Sequence, residues 1–366
     1  MTLRSWALCV LLSCLCILGG CSRKKPDNAD ICLYTRQILQ NEYPAQMNLL
    51  RAGSNASIQG EISFIGNEGL LEKYYELYLN YDVRDNVDGR TESDGLPDFA
   101  GESFSFVPVV AEQNQDSLSL MRQRETLVKV SLALLDTVYH VSPYDLDGLG
   151  RRAASKALVL CDPSFLKDGY QDIDTLLNAS SSAVMLFSPL ALSLDQAFGR
   201  LGRKEINAGI IVDSTVCALD SYAQVFSHYT ASCGATASKC YTLPSDASDS
   251  LMHHLVASYA SVSTKPLDCI IVDDLSIDVP RLKNELADML SVLNESSMTY
   301  GKMLSDDFVL IVSSEVLARR LYDSLRSRNL FTHNISRPSG IYYTASAPLE
   351  GSGPSLIMIS GNYVQN

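Results

Sequence analysis

Ala208-Gly209-Ile210-Ile211-Val212-Asp213-Ser214-Thr215 is the stretch on which the fold turns. Three β-branched apolar residues in succession, after two small ones, make a strand with no polar face, and such a strand must be covered on both sides. It stops at a carboxylate and two hydroxyls, the groups that accept hydrogen bonds from the free N–H groups of a helix start. Apolar residues over about 216–229 then recur at helical spacing. Strand, polar corner and helix form the unit of a parallel sheet, because parallel neighbours need a crossover connection.

The unit repeats in both directions. Downstream, a short strand at Tyr241-Thr242-Leu243 precedes a helix from Leu251 to Val262. Leu267 to Val272 is a strand ending at Asp273-Asp274 and leading into a helix at 279–293. Phe308 to Val312 ends at Ser313-Ser314 before a helix at 315–328. Upstream, Ile62 to Gly66 precedes a helical stripe through Leu70, Leu71, Tyr74, Leu77, Tyr78 and Tyr81. Phe104 to Val110 precedes a second stripe from Leu118 to Tyr139. Ala157 to Cys161 and Ala183 to Phe187 are further strands, with helices at 167–178 and 193–202. The tail 331–363 carries strand signals and few helix signals. About nine such units exceed one ordinary open sheet. The expected class is therefore α/β, as two lobes of mostly parallel sheet wound with helices on both faces. The lobes are expected at 61–203 and 204–366, with a break near Gly202-Arg203-Lys204 and a polar, turn-rich tether over 21–60 that can hold a short helix near 32–41.

In open parallel sheets, ligands sit outside the carboxyl ends of the strands. The residues there are Asn67, Glu68, Asp162, Ser164, Ser188, Asp213, Ser214, Thr215, Asp273, Asp274 and Ser313. Capping the following helix is the simpler role for any one of them; the set as a whole argues for a polar cleft. This order of elements, with 210–215 opening the second half, resembles the type I periplasmic binding protein superfamily. The resemblance implies two lobes closing on a small polar ligand, with lipid-anchored members serving as transporter receptors. The long 82–103 loop departs from that pattern, as does the absence of tryptophan from the body: Trp6 is the only one.

Trp6 belongs to the N-terminal segment. Arg4 is its single charge, an apolar run from Trp6 to Leu18 is broken only by Ser13, and the run closes with Leu18-Gly19-Gly20-Cys21. This resembles the lipobox of bacterial lipoproteins, which implies a signal peptide over 1–20, removed to leave an acylated Cys21. A retained anchor is the alternative, but the run falls short of the ~20 residues a spanning helix needs. The basic Ser22-Arg23-Lys24-Lys25 favours a periplasm-facing place in the cell envelope over surface exposure. A formal charge of −13 argues against nucleic acid as a partner. The expected partners are thus the membrane, through the lipid, and a small polar solute, with a transporter or receptor complex beyond.

Further chemistry is sparse. No Walker A loop, HExxH or GxSxG occurs. The adjacent His253 and His254 point about 100° apart on a helix and do not share a metal. Cys233 and Cys240 flank a loop of small residues and can either close a disulfide in an oxidising compartment or stay as thiols. The acidic loop offers Asp85, Asp88, Asp94 and Asp98 to a calcium ion, but an EF-hand register fails, and a solvated loop with Asx turns is the simpler reading. No other cofactor is expected. The first functional expectation is a lipid-anchored solute-binding protein without catalysis. The second is an envelope hydrolase with carboxylates at strand ends, and the third a structural or adhesion lipoprotein.

Overall fold

The computed structural model describes residues 31–84, 90–109, 116–142, 145–202, 205–213, 219–245, 250–295, 303–332, 334–346 and 357–361. The signal segment and Cys21 lie outside the described residues, as do Asp85, Asp88, Ser214 and Thr215. The chain is α/β, with mostly parallel sheets flanked by helices. In chain order the elements are α1 (Leu33–Leu39), α2 (Pro44–Ala52), β1 (Glu61–Gly66), α3 (Glu68–Leu79), β2 (Ser103–Pro108), α4 (Ser117–Leu134), β3 (Val138–Ser142), β4 (Asp145–Arg151), β5 (Ser155–Leu160), α5 (Ser164–Lys167), α6 (Tyr170–Ala179), β6 (Met185–Phe187) and α7 (Pro189–Leu201). There follow β7 (Asn207–Val212), α8 (Leu219–Ser232), β8 (Lys239–Pro244), α9 (Leu251–Val262), β9 (Leu267–Val272), α10 (Val279–Glu295), β10 (Leu304–Val312), α11 (Ser313–Ser327), β11 (Ser339–Ser346) and β12 (Ile357–Gly361).

The strands form an eight-stranded sheet in the order β4-β3-β12-β11-β2-β1-β5-β6 and a four-stranded sheet in the order β10-β9-β7-β8. Every residue of β1, β5 and β9 is buried, as expected of apolar strands covered on both faces. The edge strands β8 and β10 are partly exposed.

Three features depart from the sequence reading. First, the tether expected over 21–60 is packed from residue 31 onward, beyond the short helix expected near 32–41, which is α1: Tyr34, Ile38, Met47 and Leu50 bury against one face of the large sheet, and Cys32 N donates to Asp172 Oδ1 at 2.7 Å. Second, the helical stripe expected to reach Tyr139 ends at Leu134, and Tyr139 lies in β3, paired antiparallel with β4. Third, sheet membership does not follow the 203/204 split. α7 packs on β9, β10 and α11, so the chain enters the smaller unit at Ser188. After α11 it returns, with β11 parallel to β2, and β12 antiparallel to β11 and parallel to β3.

One hydrophobic cluster joins the two sheets. It runs from Phe64, Tyr78 and Phe104 of the large sheet and its helix to Ile210, Cys269 and Ile311 of the small one, through Tyr222 and Phe226 of α8 and Leu317 and Leu321 of α11. Phe64, Tyr74, Tyr78, Phe99 and Phe104 form tilted and edge-on ring pairs with centroids 5.2 to 5.9 Å apart in this layer. Such pairs add about 0.5–1.5 kcal/mol each beyond their burial.

Candidate functional site

The carboxyl ends of the two sheets face each other. Each strand-end residue is fixed by its own corner before it meets the other rim. Asp162, just past β5, accepts from Ser164 N at 2.9 Å and Ser164 Oγ at 2.7 Å through Oδ1. Asp274, past β9, repeats the device with Ser276 N at 2.8 Å and Ser276 Oγ at 2.7 Å. Both are Asx turns, in which a short carboxylate takes the N–H two residues on. Asn67 Oδ1 accepts from Leu70 N at 2.9 Å as the N-cap of α3, while its side chain also hydrogen-bonds Asp162.

Across the gap, Lys73 of α3 reaches the small sheet. Its Nζ donates to Asp213 Oδ2 and stands 3.7 Å from Asp274 Oδ1. Burial alone would lower the Lys73 pKa, but the hydrogen bond it donates to Asp213 and the charges of Asp274 and Asp213 outweigh it, so the ammonium is held charged. Asp274 is buried, and its Oδ2 has no hydrogen-bond partner among the described residues. Ser188, at the start of α7, is also buried with an unpartnered Oγ and does not cap its helix.

Asp273 is the most perturbed group of the rim. It is partly accessible; its Oδ2 accepts from Tyr222 OH at 2.8 Å, and Ser313 hydrogen-bonds the carboxylate. Ser313 in turn receives a hydrogen bond from Ser193 Oγ at 3.0 Å. Desolvation pushes the Asp273 pKa up to about 6; Asp274 and Asp162 push the same way, and the Ser313 and Tyr222 bonds only partly oppose them. Asp162 is also raised, by burial first, against its bonds to Ser164 and Asn67. A carboxyl pushed up to about 6 at a rim it shares with a fixed ammonium can exchange a proton in mildly acidic to neutral water.

The structure thus gathers Asn67, Asp162, Ser164, Asp213, Asp273, Asp274 and Ser313. It leaves Glu68 exposed in the first turn of α3, where it complements the helix dipole. Lys73, Tyr222 and Ser193 escaped the sequence reading because each sits inside a helix. The available signals were the single lysine of α3, three residues after the buried Leu70, and Tyr222 at the start of the buried stripe Tyr222, Val225, Phe226, Tyr229.

No family model and no curated protein sequence matches the chain. Among solved structures, it is similar to three glutamate racemases. That from Francisella tularensis subsp. tularensis SCHU S4, in complex with D-glutamate, is 13% identical with a TM-score of 0.42, over 80% of this chain and 90% of that one. Isoform RacE1 from Bacillus anthracis is 12% identical with a TM-score of 0.43, over 79% and 89%. The enzyme from Campylobacter jejuni subsp. jejuni is 10% identical with a TM-score of 0.41, over 79% and 93%.

The expectation of a solute-binding protein is corrected at this point. The rims are not the walls of an open cleft. The Lys73 ion pairs bridge them, and they are flanked by Tyr78 OH donating to Ser314 O at 3.1 Å and by Lys167 Nζ donating to Gln224 Oε1 at 3.2 Å.

No disulfide joins Cys233 and Cys240: Cys233 Sγ lies 3.8 Å from Ser232 Oγ, and Cys240 packs on the core, where burial pushes its thiol up to about 11. Of the calcium candidates that are described, Asp94 Oδ1 accepts from Leu96 N at 2.9 Å, and Asp98 Oδ1 accepts from Val83 N at 3.0 Å and Arg84 N at 2.9 Å. These are turn-forming roles, and among the described residues no group of three or more His, Cys, Asp or Glu could hold a metal ion. Nor is any described helix long and apolar enough to cross a membrane.

Proposed function

We propose that this chain is an acid–base enzyme that works at the facing strand ends and is held in the cell envelope by a lipid on Cys21. The observation that carries the reading is Asp273: a partly accessible carboxyl with its pKa near 6, held between Tyr222 and Ser313 and sharing its rim with the charged Lys73. Asp273 is the proton carrier. Lys73 supplies a fixed positive charge toward which an oxygen of the reacting group can develop negative charge. Asp213, Asp274 and Asp162 make the surroundings acidic, which favours a neutral or amine-bearing substrate over an anion. The chemistry needs no group beyond these side chains.

The full chain is to be incubated in D₂O with small polar compounds that carry an exchangeable C–H beside a carbonyl or a cleavable amide or ester. NMR then follows deuterium uptake and cleavage. The expected result is turnover of one such class, with a limb of the pH–rate profile near 6 and a loss of at least 100-fold in Asp273→Asn. Turnover that survives Asp273→Asn, or none in the panel, contradicts the assignment. The anchor is tested separately: Cys21→Ser should move the protein from the membrane to the soluble fraction and remove the acyl mass from its N-terminus.

A further inference from the structure

A cavity of about 400 Å³, within the range usual for small-molecule sites, shares no lining residue with the rim cluster. It lies where the 96–100 turn, the second half of α11 and the segment after that helix come together. Three properties define what it can hold.

Its wall is mixed. Tyr322 and Phe331 meet edge to face with centroids 4.9 Å apart and, with Leu96, Ala100 and Ile335, form its apolar part, while Asp98, Arg326, Thr332 and Asn334 form the polar part. Ile335 is 83% exposed, a large apolar side chain left in water.

It carries one cation at its edge. Arg326 is exposed and has no carboxylate partner among the described residues, whereas nearby Arg84 is engaged by Asp323 at 3.2 Å and by the Tyr322 ring at 4.8 Å. The one acid in the wall, Asp98, is buried and directed to the Val83 and Arg84 amides.

Its shape is set by backbone. Gly101, at φ +79, donates its N–H to Ser336 O at 2.6 Å, and Thr332 N donates to Glu102 Oε1 at 2.9 Å. These bonds tie Thr332 and Ser336 to the chain at Gly101 and Glu102.

We propose that this cavity is a second ligand site, which takes a small monocarboxylate with a flat aromatic body. The ring packs on Tyr322, Phe331, Leu96 and Ile335, and the carboxylate pairs with Arg326. The assignment is independent of the chemistry at the rims.

Phenylacetate and its neutral analogue phenylacetamide are suitable probes, titrated into the full chain by ligand-observed NMR. Saturable binding of phenylacetate is expected, at least fivefold tighter than the amide, as a charge-assisted bidentate contact to an exposed arginine provides. Arg326→Gln should erase the difference between the probes, and Ile335→Ser should weaken both several-fold. Both side chains are exposed, so the variants should fold, with unchanged circular dichroism and melting temperature. Absence of saturable binding, equal affinity for the two probes, or phenylacetate binding that is lost in Lys73→Met and kept in Arg326→Gln would each overturn the proposal.

Discussion

Asn67 shows how a single side chain can be both cap and site residue. Its Oδ1 closes the first turn of α3, and the same amide hydrogen-bonds Asp162 and opposes the rise that burial imposes on that carboxyl. Replacing it with alanine should cost about 1 kcal/mol for the lost cap, readable as a lower urea midpoint at constant slope, and should raise the Asp162 pKa further. Lys73→Met is expected to cost more, about 2 kcal/mol after allowance for its partial hydration, because Asp213 and Asp274 lose the cation between them. The residue types at the strand ends were visible in the sequence because parallel sheets put short polar groups there. Lys73 and Tyr222 carried only weak local signals, a single lysine and the head of a buried stripe, because the partner of each is supplied by a strand end far along the chain. Ser313 was read as a possible cap, yet it holds Asp273 while Val312 stands at the cap position of α11.

Among the elements, the buried strands were legible because an unbroken apolar run admits few other readings. The β3–β4 hairpin was hidden by two glycines, Gly148 and Gly150. A Cβ at Gly150 would lie 2.1 Å from Cζ of Tyr139, so a bare backbone is needed under that ring, and the side-chain alternation that marks a strand is erased. The return of the chain from α11 depends on a buried charge that the hydropathy of β5 also concealed. Lys156 is fully buried; its Nζ stands 2.6 Å from Glu102 Oε2 and donates to Ile58 O and Leu330 O, each at 2.8 Å. Glu102 Oε1 takes Thr332 N, so this pair ties β2 and β5 to the segment leaving α11. Lys156→Met removes one partner of a buried pair and should lower the unfolding free energy by about 3–5 kcal/mol in a denaturant titration. Gly101→Ala places a methyl 2.1 Å from Asn334 O at a positive φ, so a drop in melting temperature is expected together with loss of the cavity that the same contact shapes.

At the scale of the molecule, the alternation of strands and helices fixed the α/β class but not the path of the chain between sheets. Which sheet receives β11 is decided by pairing with β2, and which unit receives α7 by packing on β9 and β10; neither leaves a trace in periodicity. The rims that a receptor would open are bridged by Lys73 and backed by a core shared between the sheets. In this setting Asp273 is a liability to the fold, and the whole molecule registers it. With a folded pKa near 6 against an ordinary value of 3.8, the native state holds its proton more tightly than the unfolded chain. Stability therefore falls as the pH rises from about 4 to about 6, and the cost stays at neutral pH. The decisive measurement is the unfolding free energy of Asp273→Asn and of the unaltered chain between pH 4 and 8. If Asp273 is a strained proton carrier, the asparagine protein is the more stable one at pH 8, by about 2 kcal/mol after discounting for partial hydration, and the two converge near pH 4. An asparagine protein that is less stable at pH 8 would mean that the ionised carboxylate anchors the structure, and the acid–base account would fail.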